Sequence, residues 1–195
     1  MTDHDETVDR LLGLKPGVVS IVDHESAWAD AAAAELDRLE SRFAKANVDE
    51  QVRGYEHVGS TAVPGLSAKP ILDLLVVVDD IEATTVLQPE LESMDYERRP
   101  NDDVPDRAFF AKGPASNRTH YLSITPVGSD CHREQVVLRD FLRDNPVAAK
   151  RYERHKRHLA ATHADDRNTY TARKASVIDE LLEQAVAAGY ELEER

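Results

Sequence analysis

Residues 71–78 read ILDLLVVV, an apolar run broken by one carboxylate, Asp73. Eight residues, seven of them β-branched or aliphatic, are too few for a buried helix. They fit a strand at the centre of a sheet, covered on both faces. Such a strand obliges the chain to build layers above and below it. Side chains alternate along a strand, so Ile71, Asp73, Leu75 and Val77 share one face, and Leu72, Leu74, Val76 and Val78 the other. An ionised carboxylate in that setting needs a cation or several donors. A divalent metal is one solution. An ion pair with Lys69 or an arginine is the other.

The stretch leading into the run, HVGSTAVPGLSAKP (57–70), carries Gly59-Ser60 thirteen residues ahead of Asp73. A glycine admits a phosphate close to the backbone, and a following serine adds a hydroxyl and an N–H. A helical turn opening at Thr61 would add further amides. Lys69 can reach a phosphate or pair with Asp73. His57 and Glu56 alternate on the preceding strand, so one of the two faces a pocket.

The rest of the chain supplies the layers. GVVSIVDH (17–24) reads as a short strand, and residues 1–14 as polar and loosely ordered. In 25–46, Trp28, Ala32, Leu36, Leu39 and Phe43 fall at helical spacing. A strand is expected over 55–58 and a helix over 81–94 with a break at Pro89. RAFFAK (107–112) and THYLSITPV (119–127) form a hairpin about GPASNR. Three helices follow: one after Gly128, one from Pro146 capped by Asn145, and one over 167–188. The expected fold is α+β, a single domain with a mixed sheet and helices over 15–128. The helices of 129–195 are too poor in apolar residues to stand alone and should pack on the sheet.

The net charge is −13, with 20 Asp and 17 Glu against 7 Lys and 17 Arg. That balance argues against general nucleic-acid binding, which depends on Lys and Arg neutralising phosphates. It also suggests a surface suited to high salt. The one cysteine, Cys131, excludes an internal disulfide framework. No stretch is apolar enough to span a bilayer, and the acidic N-terminus does not read as a secretory signal. The expectation is a soluble cytoplasmic protein that does not engage membranes. HExxH, GxSxG and Walker A patterns are missing. Ser60 has no base that its sequence neighbours position.

Gly-Ser leaving one strand, with an aspartate in the next, resembles the nucleotidyltransferase fold that includes DNA polymerase beta. More specifically, HVGSTAVPGLSAKPILDLLVVV, RAFF with Arg107, THYL with His120, VLRDFLR with Arg139 and Asp140, RYERHK with Tyr152 and Lys156, and YTARK with Tyr170 and Lys174 resemble the GrpB family. The resemblance implies a nucleotidyltransferase-like sheet with the C-terminal helices packed on it. It implies a phosphate site at Gly59, Ser60, Thr61, Lys69, Arg107, Lys156 and Lys174. Asp73 and His120 become the candidate catalytic residues and ligands of a divalent metal, Mg²⁺ or Mn²⁺. One departure matters. Nucleotidyltransferases carry a second acid two residues after the first, and here that position is Leu75.

Two readings follow. The first is metal-dependent transfer of a nucleotidyl group from a nucleoside triphosphate to a small acceptor. The second is a non-catalytic module binding a nucleotide or another phosphorylated metabolite. In both, Ser60, Asp73, Arg107 and His120 are expected around one cleft.

Overall fold

The computed structural model describes residues 11–14, 19–99, 104, 106–163 and 166–190. Five strands form one mixed sheet: β1 (Val52–Val58), β2 (Leu72–Val78), β3 (Tyr96–Arg98), β4 (Ala108–Lys112) and β5 (His120–Pro126). Their order is β1-β2-β5-β4-β3. The apolar run is central, as its composition requires. β2 pairs antiparallel with β1 and parallel with β5. The hairpin β4–β5 is antiparallel, and β3 adds an edge to it.

Among the described residues, five α-helices of nine or more residues cover the sheet: α1 (Ala27–Ala46), α2 (Thr84–Glu92), α3 (Asp130–Asp144), α4 (Pro146–Thr162) and α5 (Arg167–Ala187). On one face, Trp28, Ala32, Leu39 and Phe43 of α1 and Leu87 and Leu91 of α2 bury Leu72, Leu74, Val76 and Val78, with Leu122 and Ile124 of β5. α1 stops at Asn47, which takes a left-handed φ of 56° and turns its N–H back onto the last carbonyls.

On the other face, Val136 of α3 packs on Val58, Leu75 and Val77. α3, α4 and α5 join through Val137, Phe141, Leu142, Tyr152, Leu181 and Ala185 around Val63 and Leu66 of the loop before β2. The three helices therefore share their core with that loop. No helix among the described residues is long and apolar enough to cross a membrane.

Several local expectations change. Residues 17 and 18 lie outside the described ones, and 19–24 make no strand: Val22 forms a single bridge to Ala68. Residues 1–10 also lie outside. Leu11–Leu14 are tied down rather than loose, since Gly13 N–H donates to Pro70 O at 2.8 Å and Leu12 is buried in the core. β1 starts at Val52, three residues early. α2 runs through Pro89 unbroken. The hydrogen bond lost there frees the carbonyl of Thr85, an exposed residue that water can serve. Asn145 is the N-cap residue of α4 but makes no side-chain capping bond; its amide instead donates to Phe141 O at 2.9 Å and closes α3.

Candidate functional site

The second face of the sheet is covered at the β1 side by α3 and left open near the start of β2. Val58 pairs with Asp73, and Asp73 with Tyr121. Where β1 ends, Gly59 takes φ 72° and ψ −169°, a region only glycine occupies comfortably. The chain then makes one 3₁₀ turn over Ser60–Ala62. This reversal lays the Gly59 backbone against the Asp73 side chain. A Cβ on Gly59 would stand 2.5 Å from Asp73 Oδ2.

Above these residues lies a cavity of about 340 Å³. Gly59, Ser60, Asp73 and Arg107 line its sheet side, Arg139 and Leu138 of α3 one wall, and Tyr152 and Lys174 the other. Its size is within the ordinary range for small-ligand pockets. Lys156 stands behind Ser60, buried, its ammonium donating to Ser60 Oγ at 2.8 Å and to Ser67 O at 2.6 Å. The Tyr152 ring lies 4.6 Å from its nitrogen, and Lys69 sits 4.2 Å over the ring of Tyr170.

Electrostatics distinguish Asp73 from its surroundings. Burial raises its carboxyl pKa, and Lys174, Lys69, Lys156 and Arg107 all oppose that rise. Burial holds the Lys156 ammonium well below the ordinary lysine range, with Lys174 adding to the effect. Lys174 moves the other way, raised chiefly by Tyr152. One carboxylate thus stands among three lysines and an arginine, within a chain of net charge −13.

Of the residues anticipated from sequence, Gly59, Ser60, Asp73, Arg107 and Lys174 line this one cavity, and Lys156 and Lys69 adjoin it. His120 and Thr61 do not. In the parallel register Leu72 stands beside His120, so His120 shares the face of Leu72 and Leu74. Its Nδ1 lies 2.9 Å from Thr119 Oγ1, and its ring meets Tyr96 edge-on. There it joins Glu35 of α1, a buried carboxylate that accepts from Lys112 Nζ at 2.6 Å and Tyr96 OH at 2.9 Å. The sheet lies between His120 and Asp73. Thr61 is buried too, its hydroxyl 2.9 Å from His57 Nε2. Glu56, rather than His57, faces the α3 side, held by Arg139 at 2.6 Å.

The donor set does not fit the Asp73–His120 divalent-metal site that the resemblance implies. Leu75, at the second acid's position, is fully buried among Val58, Val77 and Val136. His120 is on the far face. Among the described residues no group of three or more His, Cys, Asp or Glu side chains is placed to hold a metal ion.

Arg139 and the Lys156–Ser60 contact were not given roles in advance. Arg139 had a signal: a charge on the inward side of α3, between Leu138 and Leu142, with its side chain 10 % exposed. The lysine contact had none, since 96 residues separate its partners.

A family model described as GrpB protein matches residues 18–184. The glutamate-rich protein GrpB of Alkalihalophilus pseudofirmus is 31% identical over 178 residues, covering 89% of this chain and 99% of that one. YqkA of Bacillus subtilis is 32% identical over 152 residues, 78% of this chain, and the match spans only 43% of YqkA. The crystal structure of GrpB from Enterococcus faecalis superposes with a TM-score of 0.78 at 31% identity, covering 88% of this chain and 100% of that one. A structure of Cid1, an RNA terminal uridylyl transferase, superposes at 0.49 with 15% identity over 81% of this chain and 45% of Cid1, too distant to carry an argument about activity.

Proposed function

Since the chain belongs to the GrpB family, which comes with no named reaction, we propose its function from the site: the cavity beside Asp73 binds a phosphorylated small molecule, a nucleotide in the first instance. The observation that carries this reading is that Lys174, Lys69 and Arg107 all bear on Asp73, against the grain of a strongly acidic chain. A phosphate entering the cavity meets Arg107 and Lys174, with the Gly59-Ser60 backbone close beside it. Arginine suits such a ligand because its planar fork grips two oxygens at once. Leu138, Leu142 and Ile178 give the cavity an apolar stretch beside these groups, which suits a base or another uncharged moiety.

Calorimetric titration with inorganic phosphate, ATP and UTP, with and without Mg²⁺ or Mn²⁺, tests this. Binding is expected in the absence of metal, weakening with ionic strength. Arg107→Ala and Lys174→Gln should each weaken it by about tenfold or more, the scale of one lost charge-assisted contact. A folded protein that binds none of the three at millimolar concentration sinks the reading.

Metal-dependent nucleotidyl transfer is the second reading. The close packing of Gly59-Ser60 on Asp73 favours it; Leu75 and the position of His120 argue against it. Its mark is nucleotide binding that appears only with Mg²⁺ or Mn²⁺ and disappears in Asp73→Asn.

A further inference from the structure

Ser60 is open to the cavity on one side and touches a buried lysine on the other. Lys156 Nζ stands 2.8 Å from Ser60 Oγ and 2.6 Å from the carbonyl of Ser67, and Lys156 itself is 1% exposed. An electrophile in the cavity can reach the hydroxyl, while the amine behind it stays out of water. The carbonyl of Ser67 fixes one N–H and so aims the nitrogen at Ser60. We infer that Ser60 and Lys156 form a nucleophile–base pair, through which Ser60 accepts a phosphoryl group from a phosphate ester or anhydride held in the cavity.

The nature of the substrate rests on the anion-binding reading above. The pair rests on its own geometry. A nucleophilic serine needs a base within hydrogen-bond reach, and a desolvated lysine beside another cation is one way to supply it. The groups facing Lys156 are Lys174 from α5, Glu153 and Arg157 on α4, and Asp73 from β2, with the Tyr152 ring alongside. Two cations and two carboxylates oppose one another, so burial is the largest influence, and it disfavours the ammonium. A permanently protonated Lys156 would make the same two contacts as an anchor. The two states differ in whether the hydroxyl is activated.

In the forward step the neutral amine of Lys156 takes the Ser60 proton as Oγ attacks phosphorus. The bridging oxygen leaves with its electron pair on the far side of phosphorus and takes a proton from water in the cavity, leaving hydroxide, while the Lys156 ammonium keeps the serine proton. Ser60 is left as a phosphate monoester. Water then attacks this phosphorus from the cavity side, its released proton neutralising that hydroxide, and the Lys156 ammonium returns its proton to Oγ as the P–O bond to serine breaks. The products are the dephosphorylated alcohol or acid, orthophosphate and free Ser60. Arg107 and Lys174 stabilise the charge gathering on the phosphoryl oxygens.

An alkyl fluorophosphonate tests the pair without a known substrate: Oγ–P forms, P–F breaks, and fluoride leaves. The full chain is incubated with the probe across neutral and alkaline pH, and the adduct is followed by intact mass and mapped by peptide. The expected result is labelling at Ser60, absent in Ser60→Ala, with a rate that rises through a midpoint well below the ordinary lysine value. Lys156→Met should lower the rate by about a hundredfold, the scale of a lost general base. If Lys156→Met does not fold, the wild-type pH profile still decides. Labelling no faster than in Ser60→Ala, or without that midpoint, overturns the pair. Phosphate binding measured in parallel separates the two proposals. Binding without labelling overturns the pair and leaves the anion site; labelling without any phosphate or nucleotide binding overturns phosphoryl as the group transferred.

Discussion

The carboxylate of Asp73 rests against the α-carbon of Gly59, so near that a methyl group there would come within 2.5 Å of Oδ2. This contact forces glycine at the end of β1 for two separate reasons, space and a φ of 72°. Gly59→Ala should therefore lower stability by about 1–3 kcal/mol through backbone strain, before any displacement of Asp73. Urea unfolding measures the loss. An unchanged midpoint would mean the turn can relax and the contact is not fixed.

Asp73→Asn separates a counter-ion from a metal ligand. A carboxylate placed for an absent metal would be missed little. One that balances Lys174, Lys69 and Arg107 leaves them repelling one another. Because burial outweighs those cations in setting the Asp73 carboxyl, the expected loss is small, about 1 kcal/mol. Phosphate should bind the variant more tightly than the wild type. A gain in melting temperature, with weaker anion binding, would reverse the assignment.

The imidazole of His57 is pushed down to about 4, mainly by burial, with Arg143 and Arg139 adding repulsion. Below the ordinary histidine value the unfolded chain takes up a proton that the folded one refuses. Stability should then fall with falling pH between about 6.5 and 4, by about 2 kcal/mol from pH 7 to 5 on the linkage scale. His57→Gln should flatten that slope while keeping a partner for Thr61 Oγ1. Unfolding free energies at the two pH values, for both proteins, check it.

Beneath the other face, Lys112 and Glu35 form an ion pair whose side chains are 14% and 2% exposed. Lys112→Met strands the Glu35 carboxylate with Tyr96 OH and the more exposed Arg38, and should lower stability by about 3 kcal/mol. Glu35→Leu combined with Lys112→Met should recover much of it, because neither charge is then buried. A double variant as unstable as the single would make the pair a packing element rather than an electrostatic one.

How far the chain could be read depended on the range of the interactions involved. ILDLLVVV declared its central place because its composition needs burial on both faces. The hairpin showed in its turn residues, and Gly59-Ser60 in its spacing to Asp73. The side of the sheet taken by His120 depended on how β5 is registered against β2, and a shift of one residue reverses every side chain. β3, at three residues, is too short to leave a periodic trace. Glu35 sits one step from Leu36 and Leu39 on an otherwise apolar helix face, and only its partners across the sheet explain it.

The division of the cavity between distant parts of the chain also sets an order of assembly. Gly59, Ser60 and Asp73 belong to the first half of the polypeptide, whereas Lys156 and Lys174 arrive from its last two helices. While the ribosome is still making α4, the sheet side of the pocket has no second wall. Domains generally fold as units, with N-terminal parts available first. An unfinished chain therefore carries Ser60 without Lys156 and Asp73 without Lys174, and its cavity is complete only when α5 docks.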